Sequence, residues 1–325
     1  MSVIESAKRG LSVSENAPKA HAPGATSAAA VDVCVCTYNR PAIVEALRSL
    51  SLQEGCDGMK IRVVVADNAA QSSARSLVDA AARELGLDVA YVHAPANNIS
   101  VARNACLDFA TAEWIAFLDD DEVASPQWLS QLLAAARRGG WDAVLGPVQA
   151  LYSPSAPAWI RTGDFHSQRP VYVRGRIETG YTGNVLIRRS LIERQNLRFR
   201  VELGRSGGED ADFLYRLSDA GGRIGFEQAA LAFEPVVASR ASLRWLLRRN
   251  FRAGQTHGSR LHQRAPGVFR RSGKLLLAAA KAVFCALATA VYLRRRTQRY
   301  RFLMRAALHC GVVARLAGMR EISCY

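Results

Sequence analysis

The chain has 325 residues, enough to bury a core in one large or two modest domains, and its composition, 49% hydrophobic and 22% charged, is ordinary for a globular protein. Its net charge of +15 is concentrated at one end, because residues 240–325 contain 19 Lys and Arg but a single acid, Glu321. Seven cysteines without a Cys-x-x-Cys pair indicate neither a structural zinc site nor a disulfide framework, which fits a reducing, cytoplasmic setting.

The first 30 residues are rich in Ala, Ser and Pro and contain no apolar segment of the kind found in signal peptides. This composition predicts a disordered tail, because it offers too little apolar surface to offset the entropy lost on folding. We therefore expect the folded part of the chain to begin near residue 31.

Strand patterns and helix patterns alternate from residue 31 to residue 148. Short apolar runs predict strands at 31–36, 61–66, 89–92, 114–118 and 143–148. Apolar residues at helical spacing predict helices at 41–52, 72–85, 99–110 and 126–138, the last of them capped by Ser125. This alternation is typical of an open, largely parallel α/β sheet with right-handed crossovers.

The alternation stops at residues 149–208, which contain three prolines and many glycines. Proline and glycine favour irregular backbone, so this region is predicted to be an insertion with polar loops that face a substrate. Helical spacing resumes at residues 209–220, where Phe213, Leu214 and Leu217 recur on one face.

Four acidic residues in succession, Asp119-Asp120-Asp121-Glu122, directly follow the apolar run 114–118. Like charges gathered at the end of a buried strand repel each other and raise each other's pKa, so the arrangement is costly. It is tolerated when something positive is held there, most simply a hard divalent cation bound through oxygen ligands. The alternative is a solvated acidic turn.

Ligands of open α/β sheets bind at the carboxyl ends of the strands. Three polar segments follow predicted strands and should converge there, at residues 37–40, 67–68 and 119–122. The first strand is not followed by a glycine-rich phosphate loop, which argues against a dinucleotide site, a P-loop and a sugar nucleotidyltransferase. The pattern favours carboxylates for a metal and for hydroxyl groups, with Arg103 near a helix start to neutralise phosphate.

Five segments resemble the motifs of family 2 glycosyltransferases of the GT-A fold, and they occur in the usual order of that family. They are Cys36-Thr37-Tyr38-Asn39-Arg40-Pro41, Val65-Ala66-Asp67-Asn68, Ser100-Val101-Ala102-Arg103-Asn104, the acid-tipped strand at 117–121, and Gly208-Glu209-Asp210. The resemblance spans residues 31–240. Longer stretches resemble the succinoglycan glucosyltransferases within this family, at 98–100, 144–148, 163–167, 179–182 and 251–258.

The resemblance implies a GT-A fold, with an open, mostly parallel α/β sheet flanked by helices and a basic helical C-terminal extension. It also implies a binding site for a nucleotide-sugar donor. Asp67 would accept hydrogen bonds from a uracil ring, and Thr37 and Tyr38 would flank that base. Arg103 would contact the base or the diphosphate, and Asp119 would face the ribose.

The same resemblance implies a divalent cation, Mg²⁺ or Mn²⁺, between the two phosphates of the donor. Asp121 would ligate it together with Asp119, and the metal would act as a Lewis acid on the departing diphosphate. His257 is a candidate third ligand because neutral imidazole suits Mn²⁺, although a histidine in a loop is more often structural. Asp120 would line the donor site without a role of its own.

Asp210 would be the general base of an inverting transfer, with Glu209 beside it as a second candidate catalytic residue. Inversion requires one carboxylate on the face of the sugar opposite the leaving group, where it takes the proton of the acceptor hydroxyl. Both acids occupy a predicted helix start, where the helix dipole stabilises a charged carboxylate. The alternative is that they merely cap this helix.

Residues 274–293 form a largely apolar stretch that is bracketed by arginines and approaches the length of a membrane-spanning helix. Lys281 lies in its middle third, where a charge is expensive inside a bilayer. A second helix is predicted at 301–319. We expect both to lie on the inner leaflet as interfacial helices. The alternatives are an ordinary helical subdomain and a nucleic-acid interface, and the latter lacks any recognised nucleic-acid module.

Together these features predict a disordered tail (1–30), a GT-A glycosyltransferase domain (31–240) and a basic membrane-associating extension (241–325). The resemblance implies transfer of glucose from UDP-glucose to a polyprenyl-diphosphate-linked oligosaccharide, in assembly of a succinoglycan-like exopolysaccharide. The enzyme is expected at the cytoplasmic face of the inner membrane, without a nucleic-acid partner. A sugar nucleotidyltransferase of related fold and a non-catalytic basic adaptor of membranes or nucleic acids stay open as alternatives.

Overall fold

The computed structural model describes residues 29–264 and 267–322, so the predicted tail lies outside the described residues apart from its last two positions. These residues form two compact units. The sheet unit consists of the described residues up to Gln149 together with Gln168–Val201 and Phe213–Pro235. The helical unit consists of Ala150–Ser167, Glu202–Asp212 and the described residues from Val236 onward. The domain limits proposed above, at residues 30 and 240, stay predictions.

The strands build one large sheet and one small sheet. In chain order they are β1 (Ala30–Thr37), β2 (Lys60–Asp67), β3 (Val89–His93), β4 (Trp114–Leu118), β5 (Val123–Ala124), β6 (Ala143–Leu145), β7 (Val148–Tyr152), β8 (Tyr172–Val173), β9 (Arg176–Ile177), β10 (Asn184–Arg188), β11 (Ile224–Phe226) and β12 (Ala232–Val236). The large sheet has the order β3-β2-β1-β4-β10-β6-β11-β9-β8, and the small sheet has the order β5-β12-β7.

The first half of the large sheet is parallel, because β1 pairs with β2 and β4 in the same direction and β2 pairs likewise with β3. Beyond β4 the sheet is mixed, since β10 runs antiparallel to both β4 and β6. The predicted fold class is confirmed: the chain forms an α/β sheet flanked by helices and followed by C-terminal helices.

The helices account for most of the remaining regular structure. In chain order they are α1 (Ile43–Ser51), α2 (Arg75–Leu85), α3 (Ile99–Phe109), α4 (Trp128–Gly139), α5 (Ala158–Gly163), α6 (Arg189–Arg194), α7 (Glu209–Asp219), α8 (Leu243–Arg264), α9 (Val268–Val291) and α10 (Arg296–Leu316). Their ends differ from the predicted ends by a few residues, as expected where a pattern fades gradually.

The core of the sheet unit lies on both faces of the large sheet. Val33 and Val35 of β1 pack on one face with side chains of α1, α2 and α4, whereas Cys34 and Cys36 pack on the other with side chains of α3 and α7. This division follows from the alternation of side chains along a strand. Because both faces are covered, most side chains of the central strands are apolar, and Cys34 and Cys36 belong to the core.

Two local predictions between β4 and β7 were wrong. Ser125 does not cap α4, which begins three residues later at Trp128 without a side-chain cap; the backbone N–H of Ser125 instead donates to Leu231 beside the small sheet. The strand predicted at 143–148 is divided into β6 and β7, because the N–H of Gly146 turns away to donate to the carbonyl of Asn184.

The prediction of an irregular region at 149–208 was wrong for β10, which lies in the middle of the large sheet. Its apolar run is only Val185, Leu186 and Ile187, and all three side chains are fully buried. A run this short between glycine-rich segments carries little strand signal by itself. Its place is set by pairing, since Asn184 lies opposite Leu118 at the end of β4.

In the helical unit, α8 and α10 pack with their backbones in close approach. A Cβ atom on Gly254 would lie 1.9 Å from the carbonyl oxygen of Leu308, and one on Gly311 would lie 2.0 Å from that of Phe251. Only glycine allows helices to approach this closely. The 251–258 segment therefore contains a structural element, a glycine contact that sets the distance between α8 and α10.

Among the described residues, one helical segment is long and apolar enough to cross a membrane, Phe269–Val291 in α9. Only 11% of its most apolar 18 residues are buried. Length and composition alone do not separate a spanning helix from one that lies on a surface.

Candidate active site

The predicted site residues of the sheet unit meet at one edge of the large sheet. Thr37 ends β1, Asp67 ends β2, and the acidic run 119–122 begins directly after β4. These strands are parallel neighbours, and Thr37 lies opposite Asp67 in the register. Their carboxyl ends therefore point to the same edge, which is where open α/β sheets bind ligands.

Asp120 is buried and connects the ends of β1 and β4. Its carboxylate accepts a hydrogen bond of 2.7 Å from Thr37 Oγ1 and one of 3.0 Å from Arg40 Nη1. Burial raises the pKa of this carboxyl to about 6, although Arg40 and the Thr37 hydroxyl both act to lower it. Asp120, to which the sequence alone assigned no role, thus holds the side chains of Thr37 and Arg40 through hydrogen bonds.

Arginines compensate the two flanking aspartates. Arg40 Nη1 lies 2.7 Å from Asp121 Oδ2, and Arg103 Nη2 lies 3.6 Å from Asp119 Oδ1. Arg103 is buried, and its guanidinium also lies 5.6 Å from the ring centroid of Phe199. Arg40 was given no role from sequence, although its position three residues after Thr37 in the 36–41 motif is a usable signal.

Arg103 owes its position to a chain of polar contacts that the sequence analysis missed. The side chain of Asn68, at the end of β2, accepts a hydrogen bond of 3.1 Å from the backbone N–H of Asn98. Asn98 in turn caps α3, because its side-chain oxygen accepts from the N–H groups of Ser100 and Val101. An Asn N-cap stabilises a helix start by about 1 kcal/mol. The end of β2 thereby sets the orientation of the helix that carries Arg103.

Glu122, the last residue of the acidic run, is buried inside the sheet unit. Burial, followed by the charges of Asp119 and Glu234, raises the pKa of its carboxyl well above the usual range. Its Oε1 atom leaves no room at Gly183, where an added Cβ would lie 2.5 Å from that oxygen and 3.2 Å from Asp119 Oδ2. Gly183 is therefore the residue that allows β10 to start directly beside the acidic run.

Asp67 holds the loop that follows β2. Its carboxylate accepts hydrogen bonds of 3.0 Å from the backbone N–H groups of Ala69 and Ala74, and one of 2.5 Å from the Tyr91 hydroxyl. Burial and the hydrogen bond to Asp67 raise the pKa of Tyr91, so this hydroxyl stays a donor. A contact between Asp67 and a base stays a prediction, as does the donor-binding role of the exposed Tyr38.

Across the ranges 29–264 and 267–322, no group of three or more His, Cys, Asp or Glu side chains is arranged as a metal site. The donor set nevertheless fits a hard cation. Mg²⁺ in proteins is commonly held by one or two carboxylates, with water and substrate phosphates as its other ligands. Asp119 and Asp121 provide two carboxylates whose side chains are 43% and 24% exposed, so both are accessible to an ion.

Asp210 and Glu209 lie in the helical unit, in the first turn of α7. Asp210 Oδ1 accepts a hydrogen bond of 2.6 Å from the N–H of Ala211, which is one of the helix-start donors without an intrahelical partner. The predicted position of both acids at a helix start is thus confirmed, while their catalytic role stays a prediction.

His257 lies within α8, so the expectation of a loop histidine was wrong. Burial lowers the pKa of its imidazole, and the charges of Lys281 and Lys274 on α9 lower it further. Burial, followed by the charge of Lys281, also lowers the pKa of the His309 imidazole on α10. His257 is therefore a neutral imidazole among cations, and its role as a metal ligand stays a prediction.

Two polar residues at and just before the start of β10 stabilise the fold. Asn184 is fully buried; it donates to the carbonyls of Pro147 and Ala230 and accepts a hydrogen bond from the indole of Trp128. Tyr181 donates to the carbonyl of Gly146 at 2.6 Å. These contacts explain part of the motif pattern without a catalytic role.

The family model described as Glycosyl transferase family 2 matches residues 32–195 of this chain. The chain is 49% identical over 295 residues to the succinoglycan biosynthesis protein ExoM of Rhizobium meliloti (strain 1021), covering 91% of this chain and 95% of that protein. It is 30% identical over 121 residues to the validoxylamine A glucosyltransferase of Streptomyces hygroscopicus subsp. limoneus, covering 37% of this chain and 27% of that protein.

Solved structures show the same fold at lower sequence identity. The crystal structure of S. aureus TarS 1-349 in complex with UDP has a TM-score of 0.52 and 18% identity, covering 89% of this chain and 92% of that one. The complex of TarS 1-349 with UDP-GlcNAc has a TM-score of 0.51 and 20% identity, covering 64% and 58%. At this identity the similarity establishes the GT-A-like fold alone.

The crowding at Gly183 gives a direct test of the acidic edge. We expect Gly183→Ala to lower the free energy of unfolding by about 1–3 kcal/mol, because the new Cβ must displace Glu122 and Asp119. Denaturant unfolding measures the change. Gly273→Ala is the matched control, since Gly273 lies in α9 with nothing within 4 Å of the added atom. An unchanged free energy of unfolding in Gly183→Ala would contradict this account of the edge.

Proposed function

This chain belongs to glycosyltransferase family 2, and on that basis we propose that it transfers a hexose with inversion from a nucleotide-sugar donor, UDP-glucose, to a lipid-linked oligosaccharide. The observation that carries the proposal is the acidic run 119–122 at the carboxyl edge of the parallel strands, compensated by Arg40 and Arg103. Similarity to a succinoglycan biosynthesis protein over nearly the whole chain supports a role in assembly of a succinoglycan-like exopolysaccharide.

In the proposed donor site, Thr37, Tyr38 and Asp67 bind the base, and Asp119 binds the ribose. Arg103 contributes positive charge to the diphosphate, because guanidinium groups form strong, charge-assisted hydrogen bonds with phosphate oxygens. Asp120 acts through its neighbours, since it holds Thr37 and Arg40 in place. Exclusion of water by the buried part of the site strengthens each of these electrostatic contacts.

Asp121 and Asp119 would hold Mg²⁺ or Mn²⁺, with His257 as a further candidate ligand. The ion would supply Lewis-acid stabilisation of the negative charge that develops on the departing diphosphate. Arg40, which is paired with Asp121 and Asp120, lowers the cost of keeping these carboxylates ionised before the donor arrives.

In the proposed transfer, the Asp210 carboxylate takes the proton of the acceptor hydroxyl. The acceptor oxygen then forms the new bond to the anomeric carbon, while the bond from that carbon to the diphosphate oxygen breaks on the opposite face. The electron pair of the broken bond leaves with UDP, so one displacement inverts the anomeric configuration. Glu209, buried beside Asp210, is the second candidate catalytic residue.

The reaction is tested by incubating the purified protein with a panel of UDP-sugars and a lipid-linked acceptor extract, followed by mass and anomeric analysis of the product. We expect a β-linked glucose product, and a loss of at least about 10²-fold in rate for both Asp121→Asn and Asp210→Asn. Asp212→Asn, which removes another acid from the first turn of α7, is the control. Wild-type rates in both Asp121→Asn and Asp210→Asn would overturn the mechanism.

We propose further that the enzyme lies on the cytoplasmic face of the inner membrane through α9. The apolar side chains of Leu276, Val283 and Leu287 recur on one side of this helix and are 67%, 59% and 65% exposed. Lys274 and Lys281 precede the buried Ala278 and Cys285 by four residues each and so share their side of the helix. The outward side therefore has no charge across the apolar stretch, which suits the interface of a bilayer.

Arginines flank this apolar side at both ends, at residues 270–271 and 294–296. Each Lys or Arg close to an anionic surface contributes about 1 kcal/mol of binding free energy. Apolar burial and charge attraction therefore act on the same segment, and this combination favours an anionic membrane surface over nucleic acid as the partner.

Flotation with anionic liposomes tests the membrane proposal. We expect the triple variant Leu276→Ser, Val283→Ser and Leu287→Ser to bind at least about tenfold more weakly, because it removes three exposed apolar side chains from the interface. The control changes three exposed apolar residues of the sheet unit, Val171→Ser, Tyr172→Ser and Val173→Ser. Equal flotation of the α9 variant and the wild type would refute the proposal.

A further inference from the structure

The loop before α7 has a backbone conformation that only glycine adopts readily. Gly207 and Gly208 have φ angles of 88° and 89°, in the left-handed region. The carbonyl of Gly208 accepts the N–H of Asp212 at 3.0 Å and so begins the hydrogen-bond ladder of α7. The direction of this loop therefore sets where the first turn of α7, with Asp210, is placed.

A buried arginine of α8 fixes this loop. Arg252 Nε donates a hydrogen bond of 2.9 Å to the carbonyl of Ser206, and Arg252 Nη2 donates to the carbonyl of Gly207. Its third nitrogen, Nη1, donates to Thr256 Oγ1 at 2.9 Å. Thr256 also limits the loop from the other side, because a Cβ atom on Gly208 would lie 2.6 Å from Thr256 Oγ1. The planar guanidinium thus forms hydrogen bonds with two successive backbone carbonyls of the loop.

The charge of Arg252 is compensated by a residue almost seventy positions further along the chain. Arg252 Nη2 lies 2.8 Å from Glu321 Oε2, and both side chains are largely buried. Glu321 is the only acid in residues 240–325, a segment with 19 Lys and Arg. A buried guanidinium without a carboxylate partner is strongly unfavourable, so this one acid at the end of the chain has a specific electrostatic role.

The C-terminal segment is held in place by α8 itself. The side chain of Gln255 donates 3.0 Å to the carbonyl of Arg320 and accepts 2.9 Å from the N–H of Ile322, so it pairs with the backbone on both sides of Glu321. Ser259 donates to Glu321 Oε1 at 2.7 Å and accepts from Arg315 Nε at 2.7 Å. Every polar atom of the Glu321 carboxylate therefore has a partner in this network.

We propose that Arg252 and Glu321 are positioning residues for transfer: they hold the loop 206–208 so that the first turn of α7 presents Asp210 to the acceptor. This inference rests on the proposed function, in which Asp210 is the base. It assigns a role to the 251–258 segment, since Arg252, Gln255 and Thr256 form the network and the glycines set the helix distance. It also assigns a role to the C-terminal segment beyond α10.

Steady-state kinetics on Glu321→Gln, which keeps the size of the side chain but removes its charge and replaces one accepting oxygen by an NH2 group, tests the proposal. We expect kcat to fall about tenfold or more, because a small displacement of a catalytic group is costly in rate. The KM for the donor should stay within about twofold, since the proposed donor residues belong to the sheet unit and uniform binding is unaffected. Glu321→Asp, which keeps the charge, should recover most of the lost kcat.

A double-mutant cycle distinguishes positioning from general destabilisation. If Arg252 and Glu321 act as one unit, Arg252→Gln combined with Glu321→Gln should reduce kcat no more than Arg252→Gln alone. Arg301→Gln on the exposed side of α10 is the control and should keep wild-type kcat. Thermal unfolding of each variant shows whether it is folded, and the cycle is evaluated on folded variants.

Three outcomes of these measurements decide whether Arg252 and Glu321 position Asp210. A reduced kcat with an unchanged donor KM in Glu321→Gln, together with non-additivity in the cycle, supports the proposal. Wild-type kcat in Glu321→Gln while Asp210→Asn is inactive overturns it and leaves the proposed function intact. Full activity of Asp210→Asn overturns the proposed function itself, whatever Glu321→Gln does.

Discussion

The crowded negative charge of the acidic run at residues 119–122 constrains the residues around it in the sheet unit. Four adjacent carboxyl groups repel each other, and two of them are buried, so they require positive charge and donors close by. Arg40 and Arg103 supply the charge, and Thr37 supplies a donor from the neighbouring strand. The glycine at 183 follows from the same crowding, because any side chain there would collide with Glu122.

Two residues proposed to touch a reacting molecule, Arg103 and Asp210, are fixed in place by others that are not. Arg103 depends on the cap formed by Asn98, which depends on Asn68 at the end of β2. Asp210 depends on a glycine loop that Arg252 holds, and Glu321 neutralises the charge of Arg252. In both units a charged group is positioned through backbone contacts of its own helix, so its geometry is set before a ligand binds. This pre-organisation is what makes electrostatic stabilisation effective in an enzyme.

Much of this arrangement could be predicted from sequence, because apolar runs and polar strand ends are local signals. The strands β1, β2 and β4 and the convergence of Thr37, Asp67 and the acidic run follow from those signals. β10 could not be predicted, since its place between β4 and β6 is decided by tertiary pairing and its apolar run is only three residues long. The prediction of a Ser125 cap was wrong because the backbone of Ser125 is hydrogen-bonded to Leu231 beside the small sheet, three residues before α4 begins.

The partners of Arg40, Arg252 and Glu321 could not be predicted for a related reason. Each depends on a partner distant in the chain, 80 positions away for Arg40 with Asp120 and 69 for Arg252 with Glu321. A single sequence shows that Glu321 is the only acid in a basic segment, but not which cation it meets. Family resemblance pointed to the 251–258 segment without giving its function, and the contacts of Arg252 and Gln255 are the basis of the role proposed for it.

The proposed mechanism requires the acidic edge to bind a nucleoside diphosphate together with a divalent cation. Calorimetric titration of UDP in Mn²⁺ and in chelator, on the wild type, Asp121→Asn and Asp210→Asn, tests it most directly. We predict that chelation weakens UDP binding to the wild type at least about tenfold, that Asp121→Asn removes this metal dependence, and that Asp210→Asn retains it. Equal UDP affinity in Mn²⁺ and in chelator for the wild type, unchanged by Asp121→Asn, would contradict the claim.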